Sequence, residues 1–206
     1  MNLRLIIEAG DVAALGRLLA DHPAAANDPI RWGKNDEILT RPLHFVCDKA
    51  FDRTLSGQRA ALLARVLIDA GADIDHQNGD PLNAAASLGA TEVGLLLLEA
   101  GARTDLRGIF GETALHWAAS IGDAVLVQRL VDKGALVDVK DDKWEATPIA
   151  WALHGWNEPP PARNQGRHHD VVAYLVRAGA GVEPKWLSEA LSKGRADVVA
   201  ALRGEI

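Results

Sequence analysis

The chain has 206 residues and a formal net charge of -6, with 48% hydrophobic and 24% charged residues. This composition is ordinary for a folded globular protein and excludes a disordered chain. The acidic charge disfavours a dedicated nucleic-acid binder, because contacts to phosphates need a concentrated basic surface. Cys47 is the only cysteine, which excludes an internal disulfide and a cysteine-based zinc or iron–sulfur site.

The first residues lead directly into an amphipathic pattern that Glu8 interrupts, without the small-residue cleavage site of a signal peptide. The longest leucine run, Leu95 to Leu98, suits a buried helix and is far too short to span a membrane. We therefore expect a cytosolic protein without a membrane segment.

Four Gly-Ala pairs recur along the chain, and each follows two apolar residues placed four and three positions before its glycine. The pairs are Gly71-Ala72, Gly101-Ala102, Gly134-Ala135 and Gly179-Ala180. A period of about 33 residues is typical of stacked helical arrays, in which each repeat contacts only its neighbours. The pattern favours such an array over a globule with one central site.

The predicted elements follow one another as six helix pairs. Residues 1–23 form an N-terminal cap, in which Gly10 precedes Leu18 by the eight residues that also separate Gly122 from Leu130. An extended finger over residues 24–41 comes next. Four repeats then fill residues 42–183, and a C-terminal cap occupies residues 184–206.

A fixed landmark begins the first helix of each internal repeat. The landmarks are Pro42-Leu43, Pro81-Leu82, Ala114-Leu115 and Pro148-Ile149. Proline in the first turn loses no helical hydrogen bond, and a preceding threonine such as Thr113 can cap the exposed N–H groups. A glycine ends this helix at Gly89 and Gly122, and a second helix then runs to the Gly-Ala pair.

Three segments interrupt the repeat period, namely the finger, residues 51–58 and residues 157–169. The last contains Pro159-Pro160-Pro161, which cannot be helical and favours a stiff extended run. Loops longer than a compact fold requires are often functional, and a flexible spacer is the alternative. The sequence leaves both possibilities open.

Residues 111–119 read Gly-Glu-Thr-Ala-Leu-His-Trp-Ala-Ala, and Gly122-Asp123, Leu130-Val131 and Gly134-Ala135 follow at fixed distances. This segment resembles the ankyrin repeat pattern, in which a Thr-Pro-Leu-His segment opens the first helix. Pro42-Leu43-His44 and Thr147-Pro148-Ile149 match it partially. The alanine and arginine content and the compact size resemble those of bacterial stand-alone ankyrin repeat proteins.

The resemblance covers nearly the whole chain and implies one domain over residues 1–206. It implies an all-α, ankyrin-type solenoid of about six helix-turn-helix repeats with short turn or hairpin fingers. It also implies that His44 and His116 tie neighbouring turns together through hydrogen bonds. Glu145 departs from the pattern, because it stands where the preceding repeat has Gly111 and a positive φ angle is usual, so this turn must be reshaped or mildly strained.

Tryptophans concentrate in the fourth and fifth repeats. Trp117 and Trp151 occupy equivalent positions on successive first helices, where we expect packing between layers. Trp144 on a finger and Trp156 at the end of a first helix are not required by the core pattern. Exposed tryptophan is enriched at binding interfaces, so these two are candidate anchors for a partner, with packing under the 157–169 loop as the alternative.

Other residue groups favour structural roles over chemistry. Residues 31–37 form either a partner-contacting finger or a solvated loop, without the glycine spacing of a phosphate-binding loop. His168 and His169 are adjacent, so their side chains diverge, and we expect Asp170 to cap the next helix instead. Cys47 is expected to be a buried, inert thiol.

We predict a non-catalytic module that binds a protein or peptide on its concave face, as a monomer, without cofactor, metal, nucleic acid or membrane. The predicted contacts are Trp32, Asp48, Phe110, Glu112, Trp144, His154, Trp156, Arg163 and Arg167. Asp48 and His154 lie three repeats apart, roughly 30 Å along a stack of helices, so they cannot form one catalytic pair.

Two alternatives stay open. The first is a small-molecule-binding protein or enzyme, with a pocket between the fourth and fifth repeats under the 157–169 loop, which requires a histidine beside a carboxylate. The second is an inhibitor or immunity protein, in which an inserted loop plugs a target enzyme.

Overall fold

The structure is a computed structural model that describes residues 2–157 and 166–205. It divides into two compact units, an N-terminal unit of residues 1–103 and a C-terminal unit of residues 104–206. Each unit contains three helix pairs among the described residues. The all-α, ankyrin-type repeat architecture is thus confirmed, and the assignment of all 206 residues to one domain stays a prediction.

The N-terminal unit contains the first three repeats and one hairpin. Its elements are α1 (Leu3–Glu8), α2 (Val12–Asp21), a 3-10 helix (Pro23–Asn27), β1 (Ile30–Trp32), β2 (Ile38–Thr40), α3 (Pro42–Phe51), α4 (Gly57–Asp69), α5 (His76–Leu88) and α6 (Thr91–Glu99). The first helix α3 packs on the first helix α5, and the second helices α2, α4 and α6 pack in succession. This is the nearest-neighbour stacking that the repeat period predicts.

The extended finger forms an antiparallel hairpin. Strands β1 and β2 pair with Ile30 opposite Thr40 and Trp32 opposite Ile38. The other insertion of this unit, predicted over residues 51–58, forms only a short loop. Helix α3 continues to Phe51, and Ser56 caps α4 by accepting a hydrogen bond from the Arg59 N–H.

The C-terminal unit contains the last three repeats. Its elements are α7 (Ala114–Ile121), α8 (Ala124–Asp132), α9 (Pro148–Asn157), α10 (His168–Arg177), α11 (Pro184–Ser192) and α12 (Ala196–Leu202). Helix α7 packs on α9, and α10 packs on α8 and α12. Leu115, Leu126 and Leu130 are fully buried in this core, and each contributes about 1.5–3 kcal/mol of hydrophobic stabilisation.

Local signals explain the ends of α7. Thr113 forms a capping box with His116 at the beginning, as the sequence predicts. Gly122 ends the helix in the left-handed conformation with a φ of 73°, and the next N–H, of Asp123, bonds the Ala118 carbonyl at 2.9 Å.

Two predicted helix ends are wrong. Helix α5 begins at His76, so Pro81 lies inside it instead of in its first turn, and positive φ angles at Gln77 and Gly79 show that this segment is irregular. Helix α10 begins at His168 with Arg167 as its N-cap residue, which places Asp170 in the first turn. Asp170 forms an ion pair with Arg167 there instead of capping the helix.

Helices α7 and α9 approach closely at Gly155. A Cβ atom on this glycine would lie 1.9 Å from the Ser120 carbonyl oxygen, which is far inside van der Waals contact. The same oxygen accepts a hydrogen bond from His168 Nε2 at 2.8 Å. The absence of a side chain at position 155 therefore sets the distance between the two helices.

Candidate partner-binding groove

A partly open groove of about 500 Å³ lies between the first helices of the fourth and fifth repeats. Helix α7, helix α9 and the finger before α9 all contribute to its wall. The lining residues are Trp117, Ser120, Trp144, Ala146, Ala150, Trp151 and His154. Its position agrees with the predicted tryptophan cluster, although residues 158–165, including Pro159-Pro160-Pro161 and Arg163, lie outside the described part of the chain.

Three indole rings form the apolar wall of this groove. The Trp151 ring lies in the middle, 5.0 Å from the Trp117 centroid and 5.5 Å from the Trp144 centroid. The interplanar angles are 84° and 75°, so both contacts are edge-to-face, an arrangement that aromatic pairs favour. Trp117 and Trp151 are half-buried, so they pack against each other as predicted and also face the groove.

The indole N–H groups of the two helical tryptophans bind carboxylates outside the groove lining. Trp117 Nε1 donates to Glu112 Oε1 at 3.2 Å, and Trp151 Nε1 donates to Asp141 Oδ2 at 3.0 Å. Glu112 also accepts from the Phe110 N–H at 2.8 Å and is only 4% exposed. Glu112, which was predicted to contact a partner, is instead buried, and its carboxylate holds the finger and Trp117.

Asp141 organises the finger that carries Trp144. Its carboxylate accepts hydrogen bonds from the backbone N–H groups of Lys143, Trp144 and Ala146 in addition to the Trp151 indole. Burial alone raises a carboxyl pKa, but these hydrogen bonds, above all that of Trp144, hold the pKa of Asp141 below its usual value. Sequence reasoning missed Asp141, although an aspartate that starts a tight turn is a recognisable signal.

The tip of this finger is apolar and exposed. Trp144 is 55% exposed, and its ring lies 5.6 Å from the half-buried Phe110 ring of the preceding finger. Lys143 Nζ lies 4.3 Å from the Phe110 ring and 4.5 Å from the Trp144 ring. Ile109, 89% exposed, extends the apolar surface, so two neighbouring fingers present hydrophobic side chains to solvent.

His116 fixes the spacing of the two fingers. Its Nδ1 accepts from the Thr113 N–H at 3.0 Å, and its Nε2 donates to the Ala146 carbonyl at 3.2 Å. The predicted structural role of this histidine is confirmed. Glu145, directly before Ala146, has a φ of 51°, so the strain predicted for this turn is present.

Trp156 and Arg167 do not line the groove. The Trp156 ring lies 6.1 Å from the His169 ring and 5.6 Å from the Arg195 guanidinium carbon, so it packs beside α10 and the start of α12. The Arg167 backbone N–H donates to the Gly122 carbonyl, and its exposed side chain pairs with Asp170. The structure thus places Trp144 beside Phe110 and, with His154, in the groove lining, and leaves Trp156 and Arg167 outside that lining.

Trp32 and Asp48 belong to the N-terminal unit and make internal contacts. The Trp32 ring lies 5.5 Å from the Phe45 ring and 4.6 Å from Lys49 Nζ, so this tryptophan packs against α3. Its buried indole N–H has no hydrogen-bond partner among the described residues. Asp48 is half-buried, with an oxygen 3.8 Å from His44 Nε2.

His44 binds the next repeat through the side chain of Asp80. Its Nδ1 lies 2.9 and 3.0 Å from the two carboxylate oxygens of Asp80, 36 residues further along the chain. His44 thus links two neighbouring repeats as expected, but through the Asp80 carboxylate inside α5 instead of through a turn. Burial lowers the pKa of His44, yet the hydrogen bond and charge of Asp80 and the charge of Asp48 outweigh it and raise that pKa overall.

The single thiol of the chain lies in the core. Cys47 is fully buried, which raises the pKa of its thiol and confirms the expected inert environment. Residues 2–157 and 166–205 contain no cluster of three or more His, Cys, Asp or Glu side chains suited to a metal ion. No helix in those ranges combines the length and apolar character that crossing a bilayer requires.

Known proteins are similar to parts of this chain. Residues 100–185 match the family model described as ankyrin repeats (3 copies). A putative ankyrin repeat-containing protein of Treponema pallidum is 42% identical over 77 residues, 35% of this chain and 26% of that protein. The glycerophosphocholine phosphodiesterase GDE1 of Candida albicans is 38% identical over 71 residues, 34% of this chain and 6% of that enzyme.

Both alignments cover only a minor part of the relatives, about a quarter of the first and 6% of the second. The activity in the name of the second relative is therefore stated of that enzyme alone. Ankyrin repeats generally mediate protein–protein interaction. Residues 100–185 therefore contain ankyrin repeats, and the stacked helix pairs and the capping box at Thr113 agree with this match.

Proposed function

We propose that this chain is a non-catalytic module that binds a protein or an extended peptide in the groove between α7 and α9. The observation that carries the proposal is Trp144, which is 55% exposed at the edge of a groove lined by two further tryptophans. A large exposed indole beside an apolar groove is typical of an interface, because such anchors contribute most of the binding free energy.

The groove is already ordered before a partner arrives. Asp141 fixes the finger through three backbone hydrogen bonds, and His116 links the turn before α7 to the turn before α9. A rigid site loses little conformational entropy on binding, so a larger part of the contact energy becomes affinity.

The described lining residues are mainly aromatic and aliphatic, a composition that favours a binding surface over the enzyme alternative. The inhibitor alternative is compatible with the groove, and an activity assay on a captured companion separates inhibition from scaffolding.

Phe110 and His154 are the next contacts in this proposal, with Ile109 as an apolar extension at the finger tip. Trp156 remains a predicted anchor, Arg163 and Arg167 remain predicted charged contacts of the rim, and Trp32 and Asp48 remain predicted contacts of the N-terminal unit. We also expect a monomer in the cytosol.

The test is affinity capture from the source organism with Trp144→Ala, followed by quantitative mass spectrometry. We expect a specific companion to be lost by about tenfold or more, as for an interface hot spot. The matched control is Leu191→Ala, which truncates a 57% exposed leucine on α11. Equal capture by the wild type and Trp144→Ala, with unchanged circular dichroism, contradicts the placement.

A further inference from the structure

The groove presents aromatic faces in a geometry suited to a positive charge. The Trp151 ring lies at interplanar angles of 84° to Trp117 and 75° to Trp144, so the three indole rings that line the groove do not lie in one plane. The face of an indole carries negative electrostatic potential, and a cation within about 6 Å of the ring centroid is attracted to it. The attraction of a cation to several ring faces in the same groove is additive.

The polar groups behind these rings increase this negative character. The N–H groups of Trp117 and Trp151 donate to Glu112 and Asp141, so neither indole offers its donor to the groove. Both carboxylates are buried, and hydrogen bonds keep Asp141 ionised by lowering its pKa. A negative charge in a low-dielectric environment acts over several ångströms, so it favours a cation in front of the ring.

The chain already places an ammonium group on neighbouring rings. Lys143 Nζ lies 4.3 Å from the Phe110 ring and 4.5 Å from the Trp144 ring. Lys143 itself is exposed and does not line the groove. This contact shows that the aromatic surface of the fingers accepts a cation, while none of the described lining residues is a lysine or an arginine.

Hydration selects among possible cations. The lining is mainly aromatic and aliphatic and offers few acceptors. A primary ammonium ion loses strong hydrogen bonds to water in such a site, whereas an alkylated ammonium ion has the same charge with fewer hydrogen bonds to lose. An anionic occupant is disfavoured by Glu112 and Asp141.

We infer that the groove between Trp117, Trp144 and Trp151 recognises an alkylated ammonium group on its partner. The inference rests on the proposed function, because it assigns the chemistry of the group that enters the same groove.

The test compares choline with 3,3-dimethylbutan-1-ol, a neutral compound of the same shape, on the full chain at constant ionic strength. Indole N–H signals in ¹H–¹⁵N NMR spectra, assigned with single Trp→Phe variants, report binding at Trp117, Trp144 and Trp151. We expect choline to bind about tenfold more tightly than the alcohol, as desolvated cation–π contacts predict. Methylammonium is expected to bind more weakly than tetramethylammonium.

Two variants locate the effect. Trp144→Ala removes an exposed ring, so the fold is retained, and choline affinity should fall several-fold. Trp186→Phe, in α11 and outside the groove lining, is the matched control and should leave the affinity unchanged. Unchanged choline binding by Trp144→Ala overturns the inference.

The remaining outcomes separate this inference from the proposed function. Equal affinity for choline and the neutral alcohol, or tighter binding of methylammonium than of tetramethylammonium, overturns the ammonium inference. So does the absence of binding by every probe. Companion capture that still depends on Trp144 leaves the proposed function standing in each of these cases, whereas loss of that dependence removes the proposed function itself.

Discussion

The second and fourth repeats place a histidine at the same motif position but give it opposite surroundings. His116 is completely buried and lies between the Thr113 N–H and the Ala146 carbonyl. The side chain of His44 is 30% exposed and faces the Asp80 carboxylate, with Asp48 nearby. One imidazole therefore bridges two neutral backbone groups, and the other bridges two acids.

The difference comes from one residue in the following repeat. Asp80 directly precedes Pro81, at the position where the fifth repeat has Thr147 before Pro148. Burial lowers the pKa of His116, whereas the acidic partners raise that of His44 above its ordinary value of 6.5. The repeat position thus fixes where the histidine lies, and its neighbour in the adjacent repeat decides whether its pKa is raised or lowered.

The largest expected effect is the loss of stability on substituting His116. His116→Ala leaves the Thr113 N–H and the Ala146 carbonyl without their partner in a buried site, so we expect a loss of about 2–3 kcal/mol in the free energy of unfolding. His44→Ala should cost about 1 kcal/mol, because Asp80 is partly exposed and can be hydrated. Urea titrations of both variants measure the difference, and a larger loss for His44→Ala would refute this ranking.

The next effect is the pH dependence, which should have opposite signs at the two sites. The folded-state pKa of His44 is raised, so its stabilisation is fully present below about pH 6.5 and is lost as the pH rises through the folded-state value. The folded-state pKa of His116 is lowered, so its contribution is present above pH 6.5 and is lost as the pH falls.

Unfolding free energies of the wild type and His44→Gln, measured between pH 5 and 8, should therefore converge as the pH rises. Asp80→Asn is the control, because it keeps the shape of the partner and removes its charge. A difference between wild type and His44→Gln that grows with pH would contradict the assignment.

The smallest effect concerns the turn that presents the Ala146 carbonyl to His116. Glu145→Gly should stabilise the protein by about 0.5–1 kcal/mol, because glycine adopts the positive φ of this position without strain. This gain is the net effect after subtracting the larger conformational entropy that glycine loses on folding. Glu145→Ala keeps the strain and serves as the comparison. Thermal unfolding measures both, and a lower melting temperature for Glu145→Gly would show that the Glu145 side chain stabilises the turn.

The sequence predicted features that depend on local backbone chemistry. The helix pairs, the cap at Thr113 and the strained turn at Glu145 all follow from residue type and spacing within one repeat. The packing of Trp117 against Trp151 also followed, because equivalent positions of adjacent repeats must meet.

Features that depend on the direction of a side chain were not predictable in this way. Glu112 was expected at the surface, but the nearby Trp117 indole draws its carboxylate inward. Trp32 was expected on an open finger, yet the hairpin turns its ring toward Phe45. The start of α5 was predicted at Pro81, because proline is typical of a first helical turn. The helix instead begins at His76 and passes through an irregular segment around Gly79 before it reaches Pro81.

The missing side chain at Gly155 has a consequence for how this groove could change. A single added methyl group would collide with the Ser120 carbonyl oxygen and force α9 away from α7. The opening would then widen although every lining side chain kept its identity. The width of the groove and the chemistry of its lining therefore depend on different positions. A substitution at position 155 would admit a bulkier partner while the tryptophans that line the groove stay the same.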